Sequence, residues 1–217
     1  SAAEAACTEA LAADRGYIPH LERRSTARRN LALERDDTGK DPFDLYTAAL
    51  QDFTEAIRLD PNRAEAWVDR ATVHVNAGRA LSRRGREPQP SIDAALADLD
   101  EALRLDPASS EAWWIRGLTR GNLGDRLRLR GEDPVPAFAG AMADLTKAVE
   151  LDPAGIDPLL QRCRVTLLWA EHETKRGLDP SERYAAALAD QDRALALDPG
   201  NPKAWHGRGQ VRVSRGM

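Results

Sequence analysis

The sequence predicts an all-α protein made of stacked pairs of antiparallel helices, an architecture known as an α-solenoid. The first observation is the tripeptide Leu-Asp-Pro, which recurs every 46 residues and ends at Pro61, Pro107, Pro153 and Pro199. The second is that the chain aligns with itself without a gap when it is shifted by 46 residues. The third is that each period contains two stretches of helical character. A constant period of this length is typical of one helical unit repeated along the chain.

The period defines one repeat domain that covers residues 1–217. Full repeats cover residues 16–61, 62–107, 108–153 and 154–199, and partial repeats cover 1–15 and 200–217. Solenoids normally carry a polar capping unit at each end, and this sequence shows neither. We therefore expect the chain to be part of a longer array or of a multidomain protein. An uncapped end near Trp205 would then offer an apolar face for end-to-end pairing.

The first helix of each repeat is predicted to follow the Leu-Asp-Pro turn. In the second full repeat it is expected from about Arg63 to Arg84, and Gly85 is expected to end it in the left-handed conformation. The same position is glycine in four repeats: Gly39, Gly85, Gly131 and Gly177. In the third full repeat, further glycines weaken the helix, so a break is expected between Gly121 and Asp125.

The second helix of each repeat carries an apolar stripe of helical period. Ala95, Leu99 and Ala102 show it in the second full repeat, and the equivalent positions of the other repeats are apolar as well. Acid–proline pairs mark its start, because the acid can cap free amides and proline suits the first helical position. These pairs begin at Asp41, Glu87, Asp133 and Asp179. The helix is expected to end at the next Leu-Asp-Pro turn.

These residues resemble the tetratricopeptide repeat, whose pattern runs W-x2-L-G-x2-Y, then A-x3-F, then P. Trp113-x2-Arg116-Gly117 and Trp205-x2-Arg208-Gly209 match its opening with arginine in place of leucine, and Ala49-x3-Phe53 matches its middle. The resemblance implies a right-handed superhelix of helix pairs. The family unit has about 34 residues, so about twelve are added here. We expect them to lengthen the first helix, to add a short loop such as Arg86–Gln89 and to extend the start of the second helix.

The resemblance also implies a concave surface, lined by the first helices, that binds extended or helical peptides. Carried over position by position, its candidate residues are Val68, Thr72, Asn76, Trp114, Leu118, Asn122, Leu160 and Arg164. Trp114 is the best candidate for a ligand contact; in the alternative, it packs against a lengthened neighbouring helix. The polar clamp of chaperone-tail-binding family members is not matched, because Val68, Trp114 and Leu160 occupy its positions.

A second set of positions predicts a structural Arg–Asp ladder. Its members are Arg70, Arg116, Arg162, Asp52, Asp98, Asp144 and Asp190. The arginines flank small residues such as Ala71 and Gly117, where helices approach closely, and a charge at such a contact needs a partner. The pattern leaves open whether Asp98 pairs with Arg70 of its own repeat or with Arg116 of the next. The rival interpretation places the arginines on the concave surface, where they would bind acidic ligands.

Composition argues against several other classes of protein. The chain has 217 residues, of which 42% are hydrophobic and 30% are charged, and its net charge is −4. We therefore expect no nucleic-acid partner, and no apolar run is long enough to span a membrane. Because no signal-peptide pattern opens the chain, a cytoplasmic location is expected.

No catalytic, metal or cofactor site is expected either. His20, His74, His172 and His206 show no metal-ligand spacing. The two cysteines, Cys7 and Cys163, fall at packing positions and are expected to be buried. The sequence therefore predicts a non-catalytic scaffold that binds a protein or peptide on its concave face. The alternatives are a self-assembly module that stacks through its uncapped ends, or, by family analogy, a regulatory repeat region of a larger signalling protein such as a bacterial kinase.

Overall fold

The fold is known from a computed structural model that describes Glu9 and residues 17–214. Over that part of the chain, helices alternate with short loops and no strand forms. The helices are α1 (Ile18–Asp37), α2 (Phe43–Leu59), α3 (Ala64–Arg83), α4 (Gln89–Leu105), α5 (Ser110–Arg130), α6 (Val135–Leu151), α7 (Ile156–Lys175), α8 (Ser181–Leu197) and α9 (Pro202–Ser214). The odd-numbered helices are the first helices of the repeats, and the even-numbered helices are the second. The predicted all-α repeat fold is confirmed.

The chain divides into two compact units, Ser1–Pro107 and Ala108–Met217, at a predicted repeat boundary. In the first unit, α1 to α4 pack in sequence, and the first helices α1 and α3 also touch each other. In the second unit, α5 to α9 pack in sequence, and α7 touches both α5 and α9. Each unit is therefore a stack of helix pairs whose first helices share one face.

The Leu-Asp-Pro turn connects each second helix to the next first helix, and a tryptophan holds it at Pro61 and at Pro199. The indole N–H of Trp67 donates to the carbonyl of Pro61 at 3.0 Å, and that of Trp205 donates to Pro199 at 2.9 Å. The Arg70 guanidinium carbon lies 4.9 Å from the centre of the Trp67 ring. The recurring tryptophan therefore fixes the turn as well as filling space.

Glycine ends the first helices, as predicted. Gly39, Gly85, Gly131 and Gly177 have φ angles of 76°, 65°, 76° and 73°. At the end of α3, the amide of Arg86 donates to Leu81 at 2.9 Å and that of Gly85 donates to Ser82 at 3.0 Å. These two bonds form a Schellman motif, which needs a left-handed residue that glycine adopts without strain. The observed α3 lies within one residue of the predicted helix at each end.

The acid before each recurring proline caps the start of the second helix. In α2, the amide of Phe43 donates to the Asp41 carboxylate at 2.9 Å, and in α4 the amide of Gln89 donates to Glu87 at 3.0 Å. The proline itself lies one residue before the helix rather than at its first position. The connecting loop after α3 ends at Pro88, so the predicted loop reaches one residue too far.

The predicted break between Gly121 and Asp125 is wrong, because α5 runs without interruption from Ser110 to Arg130. A Cβ atom added at Gly117 would lie 2.6 Å from Leu145, and one at Gly124 would lie 2.5 Å from Phe138. These glycines therefore let α6 approach the α5 backbone closely. The packing of α6 against α5 offsets the low helix propensity of glycine. That propensity is a local preference, which contacts with other helices can override.

Candidate binding surface

The two helices of each repeat are joined by an arginine and an aspartate that lie 28 residues apart. The pairs are Arg24–Asp52, Arg70–Asp98, Arg116–Asp144 and Arg162–Asp190. In the second full repeat, the Nε and Nη2 atoms of Arg70 donate to the two carboxylate oxygens of Asp98 at 2.9 and 2.6 Å. Such bidentate contacts fix both partners in one geometry. The pairing is therefore within a repeat, which answers the question that the pattern left open.

Further contacts surround these Arg–Asp pairs. A second arginine one turn along donates to the same carboxylate in two repeats, from Arg28 to Asp52 at 2.6 Å and from Arg120 to Asp144 at 2.8 Å. In another repeat, Arg70 also donates to the hydroxyl of Thr54 on α2 at 3.2 Å. The arginine thereby links its own repeat to the preceding one.

The second unit has a concave surface that is formed by its first helices. A cavity of about 550 Å³ opens there. Its lining comprises Trp114 of α5, Asp157, Leu160, Gln161, Cys163, Arg164 and Leu167 of α7, Gln191 of α8, and Pro202, Lys203, His206, Gly207 and Gln210 of α9. A second cavity of about 710 Å³ shares Arg164, Leu167, His206 and Gln210 with it and continues to Glu171 and Val213. We call the two together the α7–α9 groove.

Polar groups of the α7–α9 groove include hydrogen-bond donors, carboxylates and side-chain amides. Arg164 donates to the side-chain oxygens of Asn122 at 2.6 Å and Gln161 at 3.3 Å. The indole N–H of Trp114 and the amide nitrogen of Gln161 are covered by protein and have no hydrogen-bond partner in the structure. The side-chain oxygen of Gln191, an acceptor in the same lining, is likewise covered and has no partner in the structure.

The first unit has a cavity of about 640 Å³ at equivalent positions. It is lined by Pro19, Glu22, Arg23, Thr26, Ala27, Asn30 and Arg63. Partial burial raises the pKa of Glu22, and the adjacent Arg63 guanidinium, 2.7 Å away, opposes that change. Both units therefore open a cavity along the same face of their first helices.

Solved structures share this arrangement of helices. The thermophilic TPR protein TTC0263 of Thermus thermophilus superimposes with a TM-score of 0.62 at 18% identity, covering 97% of this chain and 89% of that protein. MamA of Desulfovibrio magneticus RS-1 gives 0.54 at 18% identity, covering 88% and 85%. The chain has the tetratricopeptide-repeat fold. Human IFIT1, solved as a dimer with m7Gppp-AAAA, gives 0.62 at 15% identity, covering 98% of this chain and 42% of that protein. The chain matches no known family profile and no curated protein.

The tetratricopeptide-repeat fold places the eight candidate residues differently. Trp114, Leu160 and Arg164 line the α7–α9 groove. Trp114 also packs against the cluster of Phe138, Ala141, Leu145 and Val165, so it has both of the environments that the sequence allowed. Asn122 is the acceptor for Arg164. Leu118 is half-buried on α5.

The three candidates on α3 belong to the first unit. Val68 is only 6% exposed, which leaves little of its side chain for a ligand. The hydroxyl of Thr72 donates to the carbonyl of Val68 at 2.9 Å, and Asn76 is half-buried. Residues of the cavity in the first unit come instead from α1, at Glu22, Thr26 and Asn30, and from Arg63. The three candidates on α3 and the three cavity residues on α1 occupy the same positions of the repeat. The repeat period was therefore the signal in the sequence that could have identified the residues on α1.

Two potentially reactive side chains among the described residues, Cys163 and His74, have shifted pKa values. Cys163 is 1% exposed, and burial raises the pKa of its thiol to about 11, so it is a poor nucleophile; Cys7 lies outside the described residues. Burial lowers the pKa of His74, although Asp98 partly opposes this change. Among the described residues, no group of three His, Cys, Asp or Glu side chains is placed to hold a metal ion. None of the described helices is long and apolar enough to cross a bilayer.

Proposed function

We propose that the chain is a non-catalytic scaffold and that the α7–α9 groove binds a peptide segment of a partner protein. The observation that carries this proposal is a contrast between positions of the repeat. Positions that join helices keep the same residue, whereas positions that line the groove change from repeat to repeat.

The contrast is clear when two positions are followed through the chain. The position that forms the Arg–Asp pair is arginine in every repeat: Arg24, Arg70, Arg116, Arg162 and Arg208. The position two residues earlier holds Glu22, Val68, Trp114, Leu160 and His206, three of which line the α7–α9 groove. A residue that serves the fold has the same task in every repeat. A residue that contacts a ligand has a different task in each, because a ligand is not periodic.

The dimensions and chemistry of the α7–α9 groove suit a peptide. From Asp157 to Glu171, α7 spans about 21 Å at about 1.5 Å per residue, which is the length of about six extended residues. Trp114, Leu160 and Leu167 offer apolar contact area, and Arg164 offers directional donors. Apolar walls with a few placed polar groups are characteristic of ligand sites.

Selection of peptides from a random display library on the folded protein tests the proposal. We expect selected peptides to bind with a Kd that rises at least about tenfold in Trp114→Ala, because a central buried aromatic residue often dominates binding. Trp67→Ala is the matched control, since Trp67 holds a turn in the first unit and should affect stability rather than the Kd. Selected peptides that are indifferent to Trp114, or preferential binding of a capped oligonucleotide like that held by IFIT1, would contradict the proposal.

Self-assembly is a second candidate function, which the surface of α9 favours. Trp205 and Val213 are 53% and 79% exposed on that helix. If these residues mediate association, light scattering will show a mass that rises with protein concentration in the wild type. Trp205→Ala would then remain at the monomer mass, while a constant wild-type mass would exclude this function.

A further inference from the structure

We infer that Gln191, at the floor of the α7–α9 groove, selects a ligand peptide that carries an asparagine or glutamine side chain, and that the two side-chain amides bond to each other. This inference rests on the proposed function and specifies one side chain of its ligand. The position of Gln191 in the repeat, its place in the groove and the unpartnered polar atoms around it each support the inference.

Gln191 occupies a position of the repeat that is apolar in the other full repeats. The equivalent residues of the second helices are Phe53, Leu99 and Leu145, and all three are 0% exposed. In the third full repeat this residue fills the close contact between α6 and Gly117 of α5. A glutamine at such a position brings polar atoms into the core, which costs free energy unless they are hydrogen-bonded. Packing of the helices alone therefore does not account for Gln191.

Gln191 reaches the α7–α9 groove from behind the first helices. It lies on α8, which packs against both α7 and α9, and it is only 3% exposed. The other residues that line the first cavity belong to α5, α7 and α9. Gly207 of α9 leaves space for the amide, since a Cβ atom there would lie 2.4 Å from the Gln191 Nε2 atom. Gln191 therefore forms the floor of the cavity between α7 and α9.

One atom of the Gln191 amide lacks a hydrogen-bond partner. A hydrogen bond connects the side chain to the Cys163 thiol, whereas the Oε1 atom is covered by protein and accepts no bond in the structure. The indole N–H of Trp114 and the Nε2 atom of Gln161, in the same lining, are donors without partners. This part of the groove therefore lacks a donor for Gln191 and an acceptor for the other two residues.

A carboxamide supplies both in one planar group. Its carbonyl oxygen accepts hydrogen bonds and its NH2 group donates two, whereas a carboxylate only accepts and an ammonium group only donates. A charged group would also lose its hydration at a floor as covered as Gln191, which costs more free energy than the burial of a neutral amide. The ligand amide therefore donates to Gln191 and accepts from Trp114 or Gln161.

Only the end of the Gln191 side chain has to turn for this contact. The torsion that orients a glutamine amide has a broad energy profile, so the amide turns towards a ligand at little cost. Main-chain amides of the ligand offer the same groups, but every peptide has them, so they contribute to affinity and not to selection. A side-chain amide is therefore the feature that distinguishes one peptide from another at this floor.

Substitution of Gln191 by the leucine of the second and third full repeats tests the inference. Random dodecamer libraries are selected against the wild type, against Gln191→Leu and against the control Gln51→Leu, which replaces an exposed glutamine of α2. We expect Asn or Gln at one fixed position of the peptides for the wild type and for Gln51→Leu, and an apolar residue there for Gln191→Leu. Circular dichroism checks that each variant is folded. Gln191→Met, which keeps the length of the side chain, replaces Gln191→Leu if that variant unfolds.

Fluorescence anisotropy with the selected wild-type peptide gives the magnitude. Changing its amide residue to leucine should raise the Kd about tenfold for the wild type and less than about twofold for Gln191→Leu, because that variant has already lost the bond. Changing the amide to the corresponding acid should also raise the Kd for the wild type, since a charge would then be buried at the floor. Equal losses in the two proteins would overturn the inference, as would selected peptides that carry a charged or hydroxyl side chain at that position.

The two proposals fail in different ways. Peptides that depend on Trp114 but show no preference for a side-chain amide would overturn this inference and leave the proposed function intact. Selected peptides that bind regardless of Trp114 would overturn the proposed function and, with it, the inference.

Discussion

Between the two helices of each repeat, the same arginine and aspartate recur in four copies. Only two positions before that arginine, five copies of the repeat carry five different residues, of which Trp114, Leu160 and His206 line the α7–α9 groove. The two regions share the same helices and differ in what they contact. Contacts within a repeat meet the same neighbour every time, whereas the α7–α9 groove is proposed to meet a ligand. Periodicity in this chain therefore identifies the fold, and departures from periodicity mark the surface that is proposed to bind a ligand.

The largest effect expected from this comparison is in the Arg–Asp pairs. Asp98→Ala should lower the free energy of unfolding by about 3–5 kcal/mol, because the Arg70 guanidinium loses its carboxylate at a mostly buried site. Urea denaturation followed by circular dichroism measures this loss. Asp93→Ala is the control on the exposed face of the same helix and should change stability by less than about 0.5 kcal/mol. Equal effects of the two substitutions would show that the recurring pair is not structural.

Replacing a glycine on the packed face of α5 by alanine should change the stability in the opposite direction from replacing an exposed glycine. Gly117→Ala should destabilise the protein by about 1–3 kcal/mol, because its Cβ would lie 2.6 Å from Leu145. Gly209→Ala on α9 should raise stability by up to about 1 kcal/mol, since nothing lies within 4 Å of its Cβ and alanine has the higher helix propensity. Thermal and urea denaturation of both variants check the signs. Stabilisation by Gly117→Ala would mean that α5 and α6 are not in close contact.

A smaller effect is expected at the second arginine of the third full repeat. Arg120→Gln should cost about 1 kcal/mol, because Asp144 keeps its bidentate contact with Arg116. Asp144→Ala in the same assay should cost several times more. If Arg120→Gln proves as damaging as Asp144→Ala, the recurring pair alone does not account for the stability of this contact.

Cys163, which is buried on α7, should give the smallest effect, as a dependence of stability on pH. Its folded pKa of about 11 lies above its ordinary value near 9, so the thiol is neutral in both states below pH 9 and stability does not depend on it there. Between pH 9 and 11 the unfolded thiol ionises and the folded one does not, so stability falls by about 1 kcal/mol at pH 10. Urea titrations of the wild type and Cys163→Ala at pH 8 and pH 10 isolate this loss. An identical pH dependence of the two proteins would show that Cys163 is accessible to water.

Much of the fold could be predicted from the sequence because the signals were local or periodic. The end of α3 at Gly85 and the cap from Asp41 depend on residues within a few positions of each other. The continuity of α5 could not be predicted, since the close approach at Gly117 involves Leu145, 28 residues away. The partner of Asp98 was ambiguous for a similar reason. Arg70 precedes it and Arg116 follows it, both at separations that recur along the chain, so the pattern alone favours neither.

The candidate site was predictable to a lesser degree. The positions that line the cavities follow from the periodicity, yet the sequence could not show which repeats open one. Val68 occupies the same position as Leu160 but is buried, because its exposure depends on packing that differs between copies. The hydrogen bond between Arg164 and Asn122 spans 42 residues and leaves no pattern in the sequence.

The central claim is that repeated positions hold the fold while varied positions bind the ligand. Transferring groove residues of one repeat to another tests it most directly: Leu160→Val with Arg164→Thr gives the fourth full repeat the Val68 and Thr72 of the second. The two measurements are the free energy of unfolding and the Kd of the selected peptide. The account predicts a stability change below about 1.5 kcal/mol and a Kd at least about tenfold higher. An unfolded variant, or a folded variant with an unchanged Kd, would contradict it.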